Sequence, residues 1–411
     1  MYTYFIALGS NIGNVYKNID TAIAKLQENA CIILNVAPFY LTEPLLPDNA
    51  TANYKKTFCN TVIQIKTQLS PYKLLNVAKK IETAMGRPIL HPKWSPRIID
   101  IDILYCKKED EIIHVNNDIL TIPHPEILNR SFVLDPLSQI APNLQIKQRD
   151  ILSCAKQTKN HQAVKMAIIN VNHNSFSGDG LTNSSEIDSK IKSLIKKRVA
   201  FIDIGAESTK PNVMPISTEE EIKRLNDACI FNLVQKHQTN GIKFSIDTYH
   251  PETAEMAINN GFNIINDVNG FKDARMWQIM QEYSNIDAVI MHSLIPNGDK
   301  NITLKNNDDL INVLNIWVKY IEQQSEKYNI AKRRIIIDYG IGFGKTLEQD
   351  LCILNNINKI DNRNFRVLIG YSRKSFMQLL GANNIQQKDD MSVKINEQLE
   401  KLGVDIIRLH M

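Results

Sequence analysis

The stretch KWSPRIIDIDILYC, residues 93–106, sets two carboxylates inside an apolar run. Ile98, Ile99, Ile101, Ile103 and Leu104 read as a buried strand, yet Asp100 and Asp102 interrupt it and Arg97 stands just before it. Side chains alternate faces along a strand at ~3.3 Å per residue, so the two acids share a face roughly 6.6 Å apart. Ile99, Ile101 and Ile103 point the other way. Like charges that close push one pKa up and cost stability unless a positive group lies between them. Two chemistries stay open. One is a solvated strand face, the commoner fate of a lone D-x-D; the other is a divalent-cation site whose carboxylates remain ionised as ligands.

A second set of chemical groups recurs after residue 164. Apolar runs near 166–171, 199–204, 243–247, 262–266, 287–291, 335–338, 366–370 and 404–408 each end in polar residues. Those ends are Asn170, Asp203 with the following GAEST, Asp247, Asn266 with Asp267, His292, Asp338, Ser372-Arg373-Lys374, and Arg408 with His410. Polar groups at every strand end point to a pocket for a polar, partly anionic ligand. The run DYGIGFGKT, 338–346, is not a phosphate loop, because G-x-x-x-x-G-K-[ST] needs glycine where Tyr339 stands. It reads as a tight glycine turn after a strand.

The elements that must carry these groups follow two rhythms. Residues 1–150 give strand (3–8), helix (15–28), strand (31–40), strand (58–67), helix (71–85), strand (98–105). That is the β-α-β-β-α-β order of a ferredoxin-like α+β domain. Pro71 opens the second helix and Gly86 closes it. The loops 43–56 and 86–97 are long, as lids and binding loops are. Residues 151–163 are polar and read as a linker, partly helical. From 164 to 411 strands alternate strictly with helical patterns such as 217–238 and 308–328. Eight such units in a segment of ~250 residues predict a (β/α)8 TIM barrel; a doubly wound sheet is the alternative. The sequence stops three residues after Arg408, so the expectation is a barrel without a last helix, with an exposed seam through which a homodimer would form.

Bulk properties limit the function classes. At 411 residues two or three domains are expected, given roughly 150 residues per domain. A net charge of +4 without a basic stripe suits anionic small molecules and excludes a nucleic-acid footprint. Six scattered cysteines without a C-x-x-C pair predict neither a zinc site nor a disulfide framework, and so a reducing compartment. The opening MYTYFIALGSN lacks a basic leader region and reads as a strand, and no apolar run approaches the ~20 residues of a membrane span. The expected location is the cytoplasm.

GSNIGN (9–14), the TEPL loop, GR (86–87), WSPRIIDIDILY and IPHPEILNRSFVLDPL (122–137) together resemble the 6-hydroxymethyl-7,8-dihydropterin pyrophosphokinase family across 1–150. NSFSGDG (174–180), DIGAESTKP (203–211), SIDT (245–248), IINDV (264–268), MH (291–292), GYSRKS (370–375) and IIRLH (406–410) are similar to dihydropteroate synthases across 164–411. Two consecutive folate-pathway enzymes on one chain support each other. The first resemblance implies transfer of a diphosphoryl group from ATP to the pterin hydroxymethyl oxygen, with release of AMP. It makes Asp100 and Asp102 ligands of two Mg²⁺ ions, and Arg87 and Arg97 the cations on phosphoryl oxygens. Glu82, Trp94, His124 and Arg130 fall at the ATP site. Phe58 and Phe132 would sandwich the pterin, with Asn60 and the Thr42–Leu45 loop reading its edge.

The second resemblance implies attack of p-aminobenzoate on the pterin methylene carbon, with loss of pyrophosphate. Asp247, Asn266 and Asp338 then read the pterin edge and Lys374 its carbonyl side. Asn170, Thr209, Arg408 and His410 match the pyrophosphate and Mg²⁺ pocket, with Asn170 on the single metal. Phe343, Ser372 and Lys210 match the grip on aminobenzoate, which a sulfonamide would imitate. Three departures stand out: Asn172-His173-Asn174 for the usual Thr-Pro-Asp, Lys210 for Arg, and Tyr339 for Pro. They leave room for rival readings: a methyltetrahydrofolate-type methyltransferase barrel, a pterin-binding barrel that only scaffolds the kinase, or a first domain that is a binding module alone. The methyltransferase is disfavoured because it needs no pyrophosphate pocket.

Overall fold

The computed structural model describes residues 1–46, 54–88, 95–158, 160–171, 180–181, 183–197, 199–208, 214–238, 242–294, 303–305, 309–378 and 380–411. The chain forms two compact units, Met1–His161 and Gln162–Met411.

In the first unit four antiparallel strands lie in the spatial order Ile32–Val36, Phe58–Thr67, Tyr2–Ser10, Asp100–Lys108. Helices Val15–Glu28 and Pro71–Ala84 cover one face, burying Ile19, Ile23, Leu74 and Ile81 against Ile99, Ile101 and Ile103. This is the ferredoxin-like arrangement. The expected strand 31–40 is two pieces, Ile32–Val36 and Tyr40–Thr42, both paired with Phe58–Thr67. Pro38 lies in the break, and proline cannot donate to the ladder. On the other face helix Ser131–Ile140 packs Val133, Leu134 and Leu137 against Phe5, Val62 and Tyr105. Residues Ile151–Lys156, expected within a linker, form a short helix whose Ile151, Cys154 and Ala155 are buried in that same cluster.

The second unit is a closed barrel. Its eight parallel strands are Val164–Val171, Phe201–Gly205, Lys243–Asp247, Ile264–Asp267, Asp287–Met291, Ile335–Asp338, Arg366–Gly370 and Ile406–Leu409. The first strand pairs with the eighth, Met166 opposite Arg408, and this closure excludes the open doubly wound sheet. The strands are isoleucine-rich and buried on both faces, as parallel strands with helices outside must be. The expected helix 217–238 is two helices, Thr218–Asp227 and Ile230–His237. Cys229 breaks it by adopting a left-handed φ of 57°. All eight strands end on one rim, where the polar residues collect.

Candidate active sites

Strand pairing gathers the first site. Gly9 lies opposite Asn60 on one neighbour and Asp100 on the other, and Ala7 lies opposite Asp102. A Cβ added at Gly9 would come 2.9 Å from Asn60 Oδ1, 3.8 Å from Phe58 Cδ1 and 4.0 Å from Asp100 Cβ, so these groups converge on one face of the sheet. Asn60 Nδ2 donates to Thr42 Oγ1 at 2.8 Å, which fixes its orientation. Arg97 Cζ sits 5.3 Å from the centre of the Phe58 ring.

Asp100 collects both arginines, Arg87 Nη1 at 2.5 Å and Arg97 Nη2 at 3.0 Å. Arg87 also donates to Glu82 Oε1 at 2.7 Å. Glu82 is buried and accepts from Lys79 Nζ at 3.0 Å and the Ile101 amide at 2.8 Å, so it faces the site through its cations. Arg97 is held from behind: its amide donates to Asn11 Oδ1 at 2.7 Å and its carbonyl accepts from the Asn11 amide at 3.1 Å. Asn11 belongs to the GSN run, and its role is legible only once strand and loop are brought together.

Asp102 differs from Asp100. Among the described residues no cation pairs with it directly, and burial together with the Asp100 charge pushes its pKa up to about 6. A carboxylate in that condition beside a second one fits a divalent cation. Among the described residues no third His, Cys, Asp or Glu joins them into a cluster, so a cation there would complete its oxygen shell from phosphate and water, in the manner of Mg²⁺. His124 is anchored by its amide to Leu104 O at 2.8 Å, and burial and Arg130 hold its pKa down. Arg130 Cζ lies 5.7 Å from the Phe132 ring centre. Leu45 is exposed, and Trp94 lies outside the described residues.

The barrel rim holds the second site. Arg408 bridges two acids, Nε to Asp203 Oδ2 at 2.6 Å and Nη2 to Asp247 Oδ2 at 2.5 Å. Asn266 Nδ2 donates to the same Asp203 oxygen at 2.9 Å. Asp203, Asn266 and Arg408 stand on the second, fourth and eighth strands, and alternate strands of a barrel fill one interior layer. Asp203 carried no assigned role in the sequence; its signal was its strand parity. Gly205 leaves room for Asp247, since an added Cβ would lie 3.1 Å from Asp247 Cβ.

Asp338 Oδ1 accepts from the Gly340 amide at 2.8 Å, and burial raises its pKa. Lys374 donates to the Ile341 carbonyl and lies 4.8 Å from the centre of the Phe343 ring. Burial lowers the Lys374 pKa to about 8. His410 meets Ser372 Oγ through both its amide and Nδ1, each at 3.3 Å. Asn170 is the penultimate residue of the first strand, half-buried, opposite Gly205. Thr209, Lys210 and Asn172-His173-Asn174 lie outside the described residues.

Next to this rim, Glu207 of the GAES loop accepts from Tyr249 Oη at 2.6 Å and from the Ile216 amide at 3.2 Å, and meets His250 Nε2 at 3.2 Å. The loops after the second and third strands are thereby tied together.

The two sites define a class: an enzyme with an arginine–carboxylate cluster beside an aromatic ring in a ferredoxin-like unit and a second polar, ionic site at a barrel rim. Residues 166–410 match the family profile of pterin binding enzymes, and residues 5–142 that of 7,8-dihydro-6-hydroxymethylpterin-pyrophosphokinase. The chain is 30% identical to a folate synthesis bifunctional protein of Arabidopsis thaliana, over 98% of this chain and 92% of that one. It is also 30% identical to the folic acid synthesis protein fol1 of Pneumocystis carinii, over 99% of this chain and 57% of that protein. The chain thus spans little more than half the length of the fungal relatives it matches. Among solved structures it is similar to a dihydropteroate synthase from Anaplasma phagocytophilum with bound 6-hydroxymethylpterin-monophosphate, at 28% identity and a TM-score of 0.54, covering 61% of this chain and 94% of that one. The chain belongs to the folate synthesis bifunctional protein family, with a pterin binding enzyme as its second unit.

Proposed function

We propose that the chain carries out two consecutive transfers. The first unit moves the diphosphoryl group of ATP to the hydroxymethyl oxygen of 6-hydroxymethyl-7,8-dihydropterin and releases AMP. The second joins the resulting pterin diphosphate to p-aminobenzoate, forming 7,8-dihydropteroate and pyrophosphate. The observation that carries this reading is the pairing of two complementary sites: Asp100 and Asp102 with Arg87 and Arg97 beside Phe58 and Asn60, and Arg408 between Asp203 and Asp247.

In the first transfer the pterin oxygen attacks the β-phosphorus and gives up its proton to water, the bond to the α,β-bridging oxygen breaks, and AMP leaves with that electron pair. Such chemistry needs alignment and charge neutralisation more than covalent help. Phe58 and Phe132 hold the flat ring, and Asn60, oriented by Thr42, reads its edge. Arg87 and Arg97 offer planar forks to phosphoryl oxygens from a position fixed by Asp100. Asp100 and Asp102 would hold Mg²⁺, which would supply further neutralisation of the triphosphate. Glu82, Trp94, His124 and Arg130 line the nucleotide side in this reading.

In the second transfer the amine nitrogen attacks the pterin methylene carbon as the carbon–oxygen bond to diphosphate breaks, and the nitrogen then gives up one proton to water. Asp247, Asn266 and Asp338 accept from and donate to the pterin edge, with Lys374 at its carbonyl side. Arg408 and His410, with Asn170 and Thr209, receive the pyrophosphate charge that develops, and Asn170 would hold a Mg²⁺ there. Preorganised cations aimed at developing charge are the strongest form of such assistance. Phe343, Ser372 and Lys210 grip the aminobenzoate.

The decisive experiment supplies ATP, Mg²⁺, hydroxymethyldihydropterin and p-aminobenzoate and follows dihydropteroate. AMP without dihydropteroate would reduce the barrel to a pterin-binding scaffold. We further place the enzyme in the cytoplasm and as a homodimer through the barrel. Exposed Ile385 and Val393 on the helix before the last strand support a dimer, and light scattering of the purified protein tests it. Among the described residues no helix is long and apolar enough to cross a membrane.

A further inference from the structure

We propose that Lys345 is a positioning residue of the barrel site: its ammonium, ringed by backbone carbonyls, locks the glycine turn so that Phe343 presents its ring to aminobenzoate. The inference rests on the dihydropteroate-forming reading of the barrel and adds a residue to it.

The run GIGFGK resembles a phosphate cradle on paper, and the folded turn has the opposite polarity. In a phosphate loop backbone N–H groups converge on an anion. Here the amides are already engaged: Gly340 N donates to Asp338 Oδ1 and Gly342 N to Asp350 Oδ1, each at 2.8 Å, and Phe343 N to Gly340 O at 3.0 Å. What converges instead are oxygens. Lys345 Nζ lies 3.0 Å from Gly340 O, 3.0 Å from Phe343 O and 3.2 Å from His292 O. His292 Nδ1 is a fourth acceptor at 3.0 Å, and burial holds this imidazole neutral with a pKa of about 3. The lysine is 7% exposed. The turn has folded around its own lysine amine, whose pKa burial pulls down to about 7 against the opposing charges of Asp350 and Asp338.

That cage joins three parts of the rim. His292 follows the fifth strand, Gly340 follows the sixth, and Phe343 is the aromatic beside Lys374. Gly340 has a φ of 68°, and a Cβ there would overlap the His292 carbonyl oxygen, so the turn rests directly on the neighbouring loop. Three carbonyl dipoles pointing at one spot repel each other unless a donor sits among them. Without the ammonium the turn would open, and the half-buried Phe343 ring would lose its fixed height above the rim. On the pterin side Arg408, Asn266 and Asp247 stand on other strands and bond outside this turn, whereas Asp338, through Gly340 N, and Lys374, through the Ile341 carbonyl, touch its start.

The test is steady-state pyrophosphate release by the full chain, varying aminobenzoate and pterin diphosphate separately. In Lys345→Met the aminobenzoate KM is expected to rise about tenfold and the pterin diphosphate KM clearly less, by about threefold at most. Lys345→Arg keeps the charge but replaces a compact ammonium by a planar fork, so an intermediate rise of roughly threefold is expected. Unchanged aminobenzoate KM values, or equal rises in both KM values, would overturn the proposal. If Lys345→Met does not fold, Lys345→Arg decides on the same criterion. Wild-type protein without turnover overturns the dihydropteroate reading and this inference together, whereas an active wild type with unaltered variants overturns this inference alone.

Discussion

Arg408 and Asp203 are 205 residues apart in the chain and 2.6 Å apart in the barrel. The pair spans the closure of the sheet, because the first strand lies between the strands that carry them. Asp203 is fully buried, and its second oxygen has no partner among the described residues, so its charge is directed at Arg408 and Asn266. The guanidinium is thus aimed before any substrate arrives.

Replacing Arg408 by Met should therefore abolish one activity and spare the other. Pyrophosphate release from pterin diphosphate and aminobenzoate is expected to fall by about 100-fold or more, as for loss of a preorganised charge. AMP formation from ATP and hydroxymethyldihydropterin should remain within about twofold, since the two units have separate cores. Parallel assays on one preparation check both; a comparable loss of AMP formation would contradict separate sites.

Asp100→Ala removes the anchor of Arg87 and Arg97 together with half of the acidic pair. AMP formation is expected to drop about 1000-fold, with circular dichroism unchanged and dihydropteroate formation from supplied pterin diphosphate intact. Turnover near the wild-type rate would remove Asp100 from the chemistry.

The Glu207–His250 pair gives a pH dependence of stability. Burial raises the Glu207 pKa, but its bonds from His250, Tyr249 and the Ile216 amide outweigh this and hold it below its ordinary 4.5. His250 is raised above its ordinary 6.5, chiefly by its bond to Glu207. Glu207 therefore contributes stability above its ordinary pKa and loses it in acid. His250 contributes below its ordinary pKa and loses it as pH climbs past its raised value. The Tm difference between wild type and Glu207→Gln is expected to be largest between about pH 4.5 and 6.5 and to shrink as pH climbs past the raised His250 value. Calorimetry across that range decides, and a difference that grows with alkalinity would refute the ion pair.

Ile101 is 1% exposed beneath the two acids. Ile101→Ala should destabilise the first unit by about 2–5 kcal/mol, the range for large-to-small core changes. Urea unfolding of the full chain should show one transition moving to lower urea and the other in place; two unmoved transitions would mean that this face is not core.

Much of this architecture was legible without coordinates. Strict alternation around Asp100 and Asp102 assigns Ile99, Ile101 and Ile103 to the core face, because a strand has only two faces. Polar residues at the ends of eight apolar runs mark one rim, because all parallel strands of a barrel end on the same side. The helices Val15–Glu28 and Pro71–Ala84 carry apolar residues at helical spacing and lie where the periodicity puts them. Tertiary structure alone decided which groups meet. It chose Arg87 and Arg97 for Asp100 and left Asp102 without a cation among the described residues, because pairing depends on register and loop closure. It joined Arg408 to Asp203, because barrel closure brings the last strand beside the first. It turned the GIGFGK run inside out around Lys345, because the direction of a backbone dipole depends on φ and ψ, which residue order does not record.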